Sequence, residues 1–344
     1  MRRLCLGTFP FIALALLTGS CRKGDREDNA SSHQAHPDSA YNGTPAAPET
    51  TRTHTEMRGM AMRIMDGVTM HIAYLSGWAT PLHRGEPVVL DDPTSYQLRI
   101  DWAESQVAYE DLARLLNDHV FAYKGAPIKN LHLEREHDEG EEVRLELKGN
   151  LKSLAGIPFE IEGVPEVTPD GRVRVRTRSI QSIGIKMGGL MHTLGIETED
   201  IANFKKARGI EVDGNDMILD PSGLLPPPKS SGRVTFVSLE ADGMLMRFGD
   251  EKPTDPPKAG ENHIFYRGGT IRLGRMTMTN ADLQIFDADP SDAFDFYPDK
   301  MNDQISAGYV KVKKDGGLTI FAPDFAEIDQ SVDLQPKEQT QRHR

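Results

Sequence analysis

The sequence predicts an α+β fold rich in antiparallel strands, and three observations carry that reading. For nearly two hundred residues beyond Met57, short runs alternate apolar and polar at period two, as strands with one buried face do. Three segments inside that stretch switch to a spacing of three and four, as amphipathic helices do. The chain holds only Cys5 and Cys21, so neither a disulfide framework nor a cysteine-based zinc site can replace a packed core.

The first strand-like element is the run from Met62 to Trp78, MRIMDGVTMHIAYLSGW, which reads as one long extended segment. Tyr96 to Trp102 follows with strict alternation. Further strands are expected at 128–136, 142–149 and 157–163, and Asp170-Gly171 makes a hairpin turn into Arg172–Arg178.

Between Val107 and Val120, the residues Leu112, Leu115, Leu116 and Val120 share one helical face, with Glu110 and Asp111 in the first turn. A second helix is expected from Lys186 to Leu194, where Met187, Leu190, Met191 and Leu194 recur before Gly195. A third starts at the N-cap Thr198 and stops at Gly209, with acids first and Lys205, Lys206 and Arg208 last.

Beyond it come the strands Ile210–Val212 and Met217–Leu219 around the turn 213–216, the stiff Leu224–Pro228 segment, and strands 232–240 and 244–248 joined by Asp242-Gly243. The proline-rich stretch 251–261 reads as a linker between a body over 57–250 and a β-rich extension over 262–328, with 329–344 a loose tail.

Ahead of the body, Met1-Arg2-Arg3 precedes an uncharged run from Leu4 to Cys21, the build of a secretory signal over 1–20. Its apolar centre falls short of the roughly 20 residues a spanning helix needs. Leu17-Thr18-Gly19-Ser20-Cys21 resembles the lipobox of bacterial lipoproteins, which implies an acylated Cys21 as a membrane anchor. Residues 21–56, almost without large apolar side chains, read as a disordered tether. Arg22 stands where inner-membrane retention signals carry an aspartate, so the resemblance implies the periplasmic face of the outer membrane.

A formal net charge of -12 argues against a nucleic-acid partner. No G-x-S-x-G elbow, Walker loop or G-x-G-x-x-G is present, so no enzyme class is indicated and no cofactor is expected.

Asp287, Asp289 and Ser291 mimic the start of a calcium loop. Asp292 then stands where the loop needs glycine and Pro298 where it needs glutamate, so a solvated acidic loop is the better reading. His132, Glu134 and Glu136 share a strand face with no further ligand in the motif, and no metal site is assigned. In RVRVRTR, the residues Arg172, Arg174, Arg176 and Arg178 fall on one face, free to meet lipid phosphates or to pair with nearby carboxylates. Met57, Met60, Met62, Met65, Met70, Met187 and Met191 suit either an apolar cavity or an ordinary core.

The order DLARLLNDHVF, IKMGGLMHTLGI, ARGIEVDGN and MILDPSGLLPPPKSSGRVTFVSLEADGMLMRFG resembles the LmeA-like bacterial proteins and, more distantly, the tubular lipid-binding superfamily, over roughly residues 96–249. The resemblance implies a curved sheet wrapped around a helix, with an apolar groove for phospholipid or another lipid. Carried to this chain, Leu115, Leu116, Met187, Leu190, Met191, Leu194 and Phe204 would line the groove. The expected function is therefore that of a tethered envelope lipoprotein that binds or shields a lipid. Its rival is a structural or assembly protein of the envelope with a protein partner.

Overall fold

The structure is a computed structural model that describes residues 52–137, 142–151, 156–182, 206–251 and 262–328. It opens with a long hairpin of β1 (Thr53–Met65) and β2 (Val68–Pro81). The turn between them is Asp66-Gly67, with Gly67 at φ +69°, a conformation that favours glycine. A side chain there would also strike Arg114, whose Nη1 donates to the Gly67 carbonyl at 2.8 Å. The expected single element over 62–78 is thus two strands. A two-residue turn leaves Met62, Ile64, Val68, Met70 and Ile72 in phase, so the alternation runs through the reversal and conceals it.

After β3 (Val88–Val89) and β4 (Tyr96–Val107), the first helix arrives where it was expected, as α1 (Tyr109–Leu115) continuing into π-helical turns over Leu116–Val120. Glu110 and Asp111 sit in its first turn, and Asp111 Oδ2 accepts from the Thr69 amide at 2.9 Å, which ties the helix to β2. Next come β5 (Ile128–Glu136), β6 (Arg144–Leu151), β7 (Ile157–Val167), β8 (Val173–Ser182), β9 (Ile210–Asp213) and β10 (Asp216–Leu219). They form a six-stranded antiparallel sheet in the order β5-β6-β7-β8-β10-β9.

The remaining elements are α2 (Pro221–Leu224), β11 (Lys229–Ser231), β12 (Val234–Glu240), β13 (Gly243–Phe248), β14 (His263–Arg267), β15 (Thr270–Leu273), β16 (Met276–Thr279), β17 (Asp282–Asp287), β18 (Phe294–Phe296), α3 (Met301–Ala307), β19 (Tyr309–Val312) and β20 (Leu318–Ala322). The main sheet has 11 strands, running β12-β13-β4-β2-β1-β14-β17-β20-β19, with β11 beside β4 and β18 beside β1. A small sheet, β16-β15-β3, completes the set.

Two boundaries move. Residues 262–328 are β-rich as expected, yet they are not an appendage: β14 pairs with β1 from His54↔Arg267 to Arg58↔His263, which puts the late strands inside the main sheet. Residues 53–56, expected within the tether, belong to β1, which buries Thr53, Thr55 and Glu56.

The α+β expectation is met in its coarser part. Antiparallel strands dominate, and the helices among the described residues are few and short. The helix expected over 186–194 lies outside the described residues, as does most of that over 198–209, where Lys206–Gly209 forms turns. Gly209 has φ +71° and packs on Gly223 so closely that a Cβ on Gly223 would lie 2.7 Å from the Gly209 Cα. That backbone contact seats α2 and the following Leu224-Leu225-Pro226 segment.

Candidate functional site: an apolar cavity between the sheets

Alternation in the six-stranded sheet sorts its side chains cleanly. Leu145, Leu147, Phe159, Ile161, Val173 and Val175 turn inward and are buried. The outward face carries charge, and the four arginines of 172–178 resolve as ion pairs. Arg172 meets Asp170 and Glu211, Arg174 meets Asp213 and Asp216, Arg176 meets Glu166 and Arg178 meets Glu142, at 2.7 to 3.4 Å. Of the two readings open for this strand, carboxylate pairing is the one the geometry displays.

The inward face does not close against the main sheet. Between β5–β10 on one side and β2, β4 and β13 on the other lies a narrow apolar cavity of about 100 Å³. Ser105 is the one described lining residue with a polar side chain.

Leu115 and Leu116 line the cavity from α1 and its π-helical continuation. Asn117 holds that segment to β5: its Oδ1 accepts from the Leu131 amide and its Nδ2 donates to the Leu131 carbonyl, both at 2.8 Å. Met187, Leu190, Met191, Leu194 and Phe204 lie outside the described residues, as does Cys21. Sequence reasoning missed the strand residues of the wall, such as Leu131, Leu147 and Ile161, and the methionines Met217, Met244 and Met246. The soft-side-chain argument applied to the early methionines would have found the last three, and of those early ones Met70 does line the wall.

A second compartment of about 120 Å³ adjoins the first. Met70, Ile72, Leu75, Ile100 and Leu225 line both. Its far wall brings Pro226–Pro228 together with Thr55, Tyr96 and Tyr266. Burial pushes Tyr96 up to about 12, with Asp92 adding to it, and burial holds Tyr266 well above the ordinary phenol range. Both phenols are neutral hydrogen-bonding groups at any physiological pH.

The other constellations resolve locally. Asp287 accepts from the Asp289 amide at 2.9 Å and from Asn262 Nδ2 at 3.2 Å, and burial raises its pKa. His132 sits 3.4 Å from Glu134 on an exposed face, and Glu134 also meets Lys148. Among the described residues no group of three or more His, Cys, Asp or Glu is placed to hold a metal ion, and no helix is long and apolar enough to cross a membrane. No protein-family model matches the chain, and comparison with curated proteins and with solved structures finds no match.

Proposed function

We propose that this chain binds the acyl chain of a lipid in the cavity between its sheets. One observation carries the reading: an unfilled space whose wall is apolar at every described residue except Ser105. Native cores pack to the density of organic crystals and leave few voids larger than a water molecule, and an empty apolar cavity is destabilising in proportion to its volume. A narrow, dry slot suits a flexible alkyl chain, which replaces the missing contacts without desolvating any polar group. The lipobox-like Cys21 and the polar stretch behind it support placing this activity at a bacterial envelope, with the body tethered to a membrane surface.

Native mass spectrometry of protein purified without detergent tests this. The expected result is an adduct that solvent extraction identifies as an acyl-bearing species. Protein that shows no adduct, and that takes up no added alkyl probe, would refute the reading.

A second reading is favoured by one feature. The edge strand β19 leaves Tyr309, Val310 and Val312 largely exposed, with unpaired backbone available to a strand from a protein partner. A solid interior in solution together with a stable assembly through β19 would favour it.

A further inference from the structure

The two compartments differ in what they offer a ligand. The first is lined by hydrocarbon, and the polar groups gather in the second. Thr55 on β1 and Tyr266 on β14 are directly opposed in the strand register, so their side chains share the face that looks onto this compartment. Thr55 is only 2% exposed, and its buried Oγ1 has no hydrogen-bond partner among the described residues. A buried hydroxyl without a partner is destabilising, so a partner delivered by a ligand brings a gain in affinity. Tyr96 and Ser230, which also line the space, bring the hydroxyls to four.

Charge is arranged in the opposite sense. Arg63 is the one cation among the described lining residues, and Asp295 already holds it through two hydrogen bonds, from Nε at 2.6 Å and from Nη2 at 2.7 Å. Asp299, an exposed carboxylate, is the other charged lining residue. A phosphate or carboxylate entering here would meet a neutralised guanidinium and a like charge, whereas the four hydroxyls can serve a carbonyl oxygen or an alcohol.

We propose that the second compartment recognises the neutral, hydrogen-bonding part of an acyl ester, so that the ligand is an uncharged acylglycerol-type lipid with its chain in the first compartment and its ester or glycerol hydroxyl against Thr55 and Tyr266. The inference rests on the acyl-binding reading and adds to it a discrimination against anionic lipids.

Displacement of a fluorescent alkyl probe at pH 8 tests it with mono-oleoylglycerol, oleate and oleoyl-lysophosphatidate as competitors. The expected result is displacement by the neutral ester at about tenfold lower concentration than by either anion, roughly what one or two hydrogen bonds are worth. Tyr266→Phe, alone and with Thr55→Val, should shrink that preference to about threefold or less while leaving the affinity for the probe itself unchanged. Unchanged probe affinity shows that the variants are folded. Equal or stronger displacement by an anion overturns the inference, as does a preference that survives both substitutions. Failure of the wild-type protein to bind the probe at all instead overturns the acyl-binding reading beneath it.

Discussion

Around β17 and β20, Leu283, Ile285 and Ile320 retain 0%, 0% and 2% of their surface, whereas at the cavity wall Leu131, Leu147 and Phe248 retain 5%, 6% and 7%. All six belong to one hydrophobic cluster. Burial away from bulk water is common to both regions, and what separates them is the second neighbour. Leu283 and Ile285 of β17 and Ile320 and Ala322 of β20 are buried and line neither compartment, and α3 packs on β20. The early strands β2, β4 and β13 face a second sheet across the apolar cavity. Hydrophobic patterning decides which side chains leave water. Whether they then touch is decided by the spacing of the layers.

The sharpest way to break this contrast is to truncate one residue in each region. Ile285→Ala should destabilise the protein by about 4 kcal/mol, because the lost side chain is enclosed on all sides. Leu147→Ala should cost about 2 kcal/mol, since that side chain already borders empty space and forfeits fewer contacts. Urea unfolding of the two variants measures the difference. Equal costs would mean that the wall is packed against something in solution and that the cavity is not open.

Enlargement should invert the order. Ala322→Leu in β20, where the alanine is fully buried, should cost about 2 kcal/mol by overpacking. Ala103→Leu projects into the cavity and should cost less than about 1 kcal/mol while sharply reducing uptake of an alkyl probe. Thermal melts paired with probe titration separate these outcomes. A severe loss of stability at Ala103 would show that the space is already filled.

Much of the architecture is legible in the residues, and the illegible part has physical causes. The strand at 128–136 and the turns at Asp170-Gly171 and Asp242-Gly243 follow from alternation and glycine placement, and each is observed. The turn at Asp66-Gly67 carries the same dipeptide signal but sits where the apolar phase is unbroken. The pairing of β1 with β14 joins segments two hundred residues apart, and no local pattern encodes such a contact. For the site, Leu115 and Leu116 are readable from a helical face, whereas Leu131 and Ile161 look like any inward strand residue. A cavity is a statement about missing atoms, and composition cannot distinguish a wall from a core.

The subtlest expected difference is one of pH. The cavity wall between the sheets has no titratable group among its described residues, whereas the filled region carries Asp324 at its margin. Burial raises Asp324 to about 6, with Asp287, Asp292 and Asp295 adding to the shift, although its Oδ1 accepts from the Asp295 amide at 2.8 Å. An unfolded chain releases this proton near 3.9, so between about pH 4 and 6 the folded state binds the extra proton. The resulting stabilisation is fully present below the unfolded pKa and is lost as pH rises through the folded value. Asp324→Asn keeps a hydrogen-bond acceptor for the Asp295 amide and removes the titration. It should therefore raise Tm at pH 7.5 relative to pH 5 by about 1–2 °C compared with the unaltered protein. An unchanged pH slope in melts of the variant would place the titrating group elsewhere in the filled region. A slope that instead follows occupancy of the cavity would erase the distinction between the two halves of the sheet.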